Sequence, residues 1–337
     1  DTLNPMSTIR KGIASTVLDG KIWAIGGSSA SILSSVEIYD PQTNSWSPGP
    51  TLPMAIKNAS AETIDGKIYL VGGYDGTQPL NKVIVHDPAT QGWIEKASMS
   101  AARHLFQTTV VDGKILAVGG AGNRDDVEMY DPATNQWTSM PNLNIGRISP
   151  STWSVRGITF VAGGHKAGSW LSSVEWFNSS LNAWAMCENL PEAKEGAGSI
   201  VLGEKVYLAS GRTSGGNYSN KVYAAELPPP AMYLYFKDGN ATAEAELSTL
   251  GLADGSVMLG QLAPDALAKI GLDHNPATVE GSLLAIPRGQ QPPSGYALYK
   301  RSDRNGSLVW DEKAPVSVAR STYDGAVGLN GKIYLMG

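Results

Sequence analysis

The sequence predicts an all-β chain built as a ring of four-stranded antiparallel blades, and three observations carry that expectation. One pattern recurs: a tight turn, an apolar run, a Gly-Gly pair, a loop, a second apolar run, a Pro turn and a Trp. It is fullest at Asp65–Trp93 and returns at Asp19–Trp46 and Asp112–Trp137. The anchor glycines Gly27, Gly73, Gly120, Gly164 and Gly211 are 46, 47, 44 and 47 residues apart, a period that signals a repeat architecture. Finally, Trp46, Trp93, Trp137, Trp184 and Trp310 each lie 27 residues before the next anchor glycine, the last being Gly337.

Each repeat supplies four strands. The first, near Ala61–Ile64 in the second copy, ends at Asp65-Gly66. Asp-Gly between apolar runs favours a type I′ hairpin, which needs positive φ at both central residues. The second strand, Ile68–Val71, is apolar without alternation, so both faces are buried. The Gly pair closes it where backbone must bend or approach a neighbour closely. The third strand is Val83–His86, matching Val36–Tyr39, Val127–Tyr130 and Val174–Phe177. Asp87-Pro88 then turns the chain, and the Trp starts a fourth strand as a large packing body.

The Gly-Gly, aromatic and Trp landmarks resemble, in order and spacing, those of the kelch family, over about residues 1–226 and 309–337. The resemblance implies a kelch-type β-propeller. Five blades are visible with part of a sixth, in a full ring of six or seven. Residues 1–227 carry blades one to five, the fifth without its outer strand. Residues 228–307 form an insertion, and residues 308–337 return to the propeller. Ala225 occupies the slot of Tyr39, Tyr130 and Phe177, so the insertion falls between the third and fourth strands of blade five. It reads as a small α+β module, with a short helix at Ala263–Ile270 and two strands within Gly281–Arg301. Asp1–Met6 resembles the end of a fourth strand, as in Thr51–Met54, so the sequence is expected to be a fragment or a processed chain.

Composition bounds the function. A net charge of −5 does not point to nucleic acid or an anionic membrane, and no apolar run is long enough to span a bilayer. Cys187 is the single cysteine, so neither an intrachain disulfide nor a Cys-rich metal site is expected. Low charge and sequons at Asn58, Asn178, Asn217, Asn240 and Asn305 suit a secreted or cell-surface protein, with a cytoplasmic one as the alternative. Oligomeric state is not readable. No cofactor, metal or catalytic residue is assigned. Kelch relatives include copper-radical oxidases, which need a Tyr–Cys pair and two histidines in places this sequence does not offer. They also include sialic-acid mutarotases, which need only acid–base groups around a sugar pocket.

The expected function is therefore a non-catalytic recognition scaffold binding a protein, peptide or glycan. The alternative is a mutarotase- or epimerase-type enzyme working at the channel mouth. Loops between second and third strands share one face with the blade-to-blade connections, and variable loops on a rigid scaffold are where recognition usually sits. These loops offer Tyr74, His165, Trp170, Arg212 and Tyr218, and one connection adds His104. The connections also carry a cation in each copy, Arg10, Lys57, Arg103, Arg147, Lys194 and Arg320. Six cations near the channel mouth imply an anionic ligand. The same cations could instead bond carbonyls of an adjacent blade. Glu37, Glu128 and Glu175 recur at one third-strand position, which argues for a structural role.

Overall fold

A computed structural model describes residues 3–90, 92–155, 157–178, 182–203, 205–226, 232–237, 283–287, 296–301, 308, 310–313, 326–329 and 332–335. The chain divides into two compact units, residues 1–227 with 308–337, and residues 228–307.

The first unit contains five four-stranded antiparallel sheets. Blade one is Ala14–Leu18, Lys21–Ile25, Val36–Asp40 and Ser45–Pro48. Blade two is Ser60–Ile64, Lys67–Val71, Val83–Asp87 and Gly92–Lys96. Blade three is Gln107–Val111, Lys114–Val118, Val127–Asp131 and Gln136–Met140. Blade four is Ser151–Val155, Ile158–Ala162, Val174–Asn178 and Ala183–Cys187. Blade five is Gly198–Leu202, Lys205–Ala209, Val222–Glu226 and Trp310–Lys313. Two strands of a sixth sheet follow, Ala326–Leu329 and Lys332–Leu335. The innermost strand of each blade neighbours that of the next, and Ala326–Leu329 neighbours those of both blade five and blade one. Six inner strands thus close a ring.

Three of the predicted hairpin turns show their reason in the backbone. Asp65 and Gly66 sit at φ 49° and 71°, and Asp19-Gly20 and Asp112-Gly113 do the same, as type I′ turns require. The Gly72–Gly73 pair works between blades. The Gly73 N–H donates to the Arg103 carbonyl at 2.8 Å, and a Cβ on Gly72 would lie 2.7 Å from that same oxygen. A side chain there would push the next blade's connection away.

The Trp residues join blades. Trp93, Trp137 and Trp184 donate their indole N–H to Pro50, Ala97 and Pro141 at 3.1, 2.9 and 2.9 Å, each at the end of the preceding blade's outer strand. Trp46 makes the same bond to Asn4 at 2.9 Å. Asn4 therefore holds the place of an outer-strand end, although residues 3–6 lie in no strand. Register is preserved across the insertion: Trp310 pairs with Ala225 as Trp46, Trp93, Trp137 and Trp184 pair with Tyr39, His86, Tyr130 and Phe177.

In the second unit, Met232–Lys237 lies between Leu283–Pro287 and Tyr296–Arg301 in a three-stranded antiparallel sheet. The helix expected at 263–270 lies outside the described residues.

Candidate recognition face

Short antiparallel bridges join Lys11 to Ser28, Lys57 to Tyr74 and Ile148 to His165, and Lys194-Glu195 pairs with Arg212-Thr213. These pairings place the connections and the second-to-third-strand loops on one face of the ring.

The sequence expectation for the connection cations needs correction. The side chains of Arg10, Arg103 and Arg147 are fully buried, and that of Lys194 nearly so. None of the four can meet a ligand. Each arginine turns into its own blade and holds the carbonyl of the first pair glycine: Arg10 to Gly26 at 3.0 Å, Arg103 to Gly119 at 3.0 Å, Arg147 to Gly163 at 2.6 Å. The outer guanidinium nitrogen then meets the recurrent third-strand glutamate, Glu37, Glu128 or Glu175. The glutamates in turn accept backbone N–H groups of the connection, from Ser7 at 2.7 Å, Ser100 at 2.8 Å and Asn144 at 2.7 Å. Burial works against ionisation of Glu37 and Glu128, but the Ser7 and Arg10 bonds on one and the Arg103 and Ser100 bonds on the other outweigh it. Both carboxyls lie below their ordinary range.

Blades two and five depart from this pairing on both sides at once. In blade two the carbonyl that receives the preceding glycine's N–H belongs to Ile56, so Ile56 holds the arginine position and Lys57 lies one place beyond. Ile84 stands where the glutamate would be, and the two isoleucines share one buried apolar cluster. In blade five Lys194 lies 4.6 Å over the ring of Tyr223, which replaces the glutamate, and bonds Glu192 and the Ser210 carbonyl at 3.2 and 3.1 Å. Arg320 lies outside the described residues.

The remaining candidates do reach the surface, and the fold gathers them into two clusters. In the first, Lys57 lies 5.5 Å over the Tyr74 ring, and Tyr74 meets His104 with centroids 5.4 Å apart. Burial, helped by Lys57, pulls the His104 imidazole below its ordinary value, so it is neutral at pH 7. In the second, a two-residue hairpin brings His165 against Trp170, 5.2 Å edge-on, and Arg212 lies 5.9 Å over the Trp170 ring. Arg212 also reaches the buried Glu195 at 3.4 Å, and its bridge partner Tyr218 is 48% exposed. Lys11 and Lys166 stand exposed on the same face. Sequence reasoning passed over Lys11, Glu195 and the arginine–glutamate pairing.

At the ring axis the inner strands enclose a cavity whose described lining holds one ionisable side chain, Glu62. Among the described lining residues no second acid, base or histidine joins it. Cys187 is half-buried against the apolar cluster of blades four and five, and burial pushes its thiol up to about 12. No group of three or more metal-ligating side chains occurs among the described residues. No described helix is long and apolar enough to cross a membrane.

Residues 7–152 match the family model described as the KLHDC2/KLHL20/DRC7 Kelch-repeats domain, and residues 149–191 match the Kelch motif. This is a kelch-repeat chain. Its relatives include Kelch-like protein 23 of Homo sapiens, 28% identical over 202 residues that make up 59% of this chain and 36% of that protein. Kelch-like protein terF of Aspergillus terreus is 28% identical over 206 residues, 58% of this chain and 37% of that protein. The kelch chain thus spans about a third of the length of these relatives. Among solved structures, that of YjhT superposes with a TM-score of 0.57 at 16% identity, over 65% of this chain and 82% of that one, a likeness of fold alone.

Proposed function

We propose that the loop face of this kelch propeller binds a protein or peptide segment bearing acidic and aromatic side chains. The observation that carries the reading is the pair of cation–aromatic clusters, Lys57–Tyr74–His104 and His165–Trp170–Arg212, on one face of a rigid ring. Half-exposed aromatic rings with nearby cations give large contact area at little entropic cost and suit carboxylate-bearing partners. With four of the expected cations committed inside the blades, charge selectivity falls to Lys11, Lys57, Lys166 and Arg212. Its weight is accordingly smaller than a rim of six cations would give. A peptide array graded from acidic to basic, probed with the full chain, tests this. Acidic, aromatic-containing peptides should be retained and should be lost in Lys57→Glu/Arg212→Glu. Equal retention of acidic and basic peptides by the wild type, or an unchanged profile in the folded double variant, overturns it.

A further inference from the structure

The cavity on the ring axis measures 440 Å³, within the range of about 300–1,000 Å³ that small-molecule sites occupy. Its wall is polar. Thr16 and Thr63 meet at 2.8 Å between blades one and two, and Ser60 and Thr108 at 2.8 Å between blades two and three. Thr108 also donates to Glu62 Oε1 at 2.8 Å. That bond engages one carboxylate oxygen, and Glu62 is the single charged side chain among the described lining residues. Its cross-strand neighbour Tyr69 is the titratable group beside it, and burial raises that phenol above its ordinary value, so it stays neutral.

A carboxylate held among hydroxyls, with no cation beside it among the described lining residues, attracts positive charge and repels anions. The hydroxyl wall of Thr16, Thr63, Ser60 and Thr108 rewards a ligand that brings hydroxyls of its own. The geometry points to a second binding site, on the axis, for a small polyhydroxylated primary amine, with the ammonium on Glu62 and the hydroxyls on the threonine and serine belt. This site is independent of the loop face. Burial pushes the Glu62 carboxyl up to about 7, with Thr108 pulling the other way. An ammonium favours the ionised form, so near pH 7 its binding expels a proton from Glu62, and affinity rises as pH increases from about 6 to 8.

The test is isothermal titration of the full chain with glucamine, a linear polyol amine that stays protonated in this range, and with sorbitol, its uncharged counterpart. Glucamine should bind at least about tenfold more tightly. Its measured heat at pH 7 should change between buffers of different ionisation enthalpy, reporting the released proton. Glu62→Gln keeps the Thr108 bond and should remove both the preference and the proton release, with its melting curve confirming the fold. Trp170→Ala, on the loop face, should leave glucamine binding unchanged. Equal binding of the two polyols, no detectable glucamine binding, an undiminished preference in folded Glu62→Gln, or loss of binding in Trp170→Ala would each overturn the proposal.

Discussion

Arg147 and Glu175 meet at 2.6 Å with both side chains wholly buried inside blade four. Taking two charges out of water is expensive, and the pair is sustained because each partner is otherwise satisfied. Arg147 holds the carbonyls of Gly163 and Ser173, and Glu175 accepts from Asn144 and Ile145. Removing one partner leaves the other buried and uncompensated. Arg147→Ala should cost about 3–5 kcal/mol, while Arg147→Met/Glu175→Met should recover much of that loss. Chemical denaturation of the two variants checks both. The chain carries its own precedent in blade two, where Ile56 and Ile84 fill the same two positions.

The repeat itself was legible in the sequence, because turn chemistry and Trp spacing are local signals that backbone geometry enforces in each copy. The direction of the connection cations was not. A cation at a fixed repeat position fits either a charged rim or an internal tie, and period alone does not say which way a side chain points. The deciding signal lay in a comparison of copies. Arg10, Arg103 and Arg147 accompany Glu37, Glu128 and Glu175, and where the arginine position holds Ile56 or Lys194 the glutamate position holds Ile84 or Tyr223. Residues that change together touch. Glu62 was invisible for the opposite reason: its counterparts on the other inner strands are Thr16, Thr109, Trp153 and Ile200, a position with no pattern to break.

Leu105 sits at φ 53°, a left-handed conformation that costs a β-carbon-bearing residue about 1 kcal/mol. Its counterparts in the other connections are Gly12, Asn58, Ser149 and Gly196, all with positive φ. Their N–H groups pass from blade to blade: Asn58 to the Gly12 carbonyl at 2.8 Å, Ser149 to Leu105 at 2.7 Å, Gly196 to Ser149 at 2.7 Å. The belt fixes the conformation and leucine bears the strain. Leu105→Asn should raise stability by roughly 0.5–1 kcal/mol, less whatever packing the leucine gives up. A melting temperature below that of the wild type would show that packing outweighs strain.

Trp93 packs against the apolar cluster shared by blades one and two while its indole donates across to Pro50. It is not fully enclosed, so Trp93→Ala should cost somewhat less than a buried tryptophan, about 2–4 kcal/mol. Trp93→Phe retains the ring but not the donor and should lose about 1 kcal/mol. Equilibrium unfolding in urea separates the packing part from the hydrogen bond. A Phe variant as unstable as the Ala variant would assign the whole effect to the hydrogen bond.

Acidic side chains set the pH dependence of stability in two opposing directions. Glu37 and Glu128 have folded-state values below the ordinary 4.5, so their stabilisation is present above that value and is lost as pH falls through their folded values. Glu62 runs the other way. Its value rises from 4.5 unfolded to about 7 folded, so the unfolded chain ionises first. Stability therefore falls as pH rises from about 4.5 to about 7, and is flat above, as far as Glu62 is concerned. A full shift at about 1.4 kcal/mol per unit overstates the effect, because Glu62 is partly exposed; about 1–2 kcal/mol is the expected size. Glu62→Gln should melt higher than wild type at pH 8 by a few degrees, roughly 2–4 °C per kcal/mol, and equally with it near pH 4. Thermal melts of both proteins across that range decide the matter. A constant difference at all pH values would mean that the substitution acts through packing, and a wild-type advantage at pH 8 would mean that the carboxylate is already compensated in the folded channel.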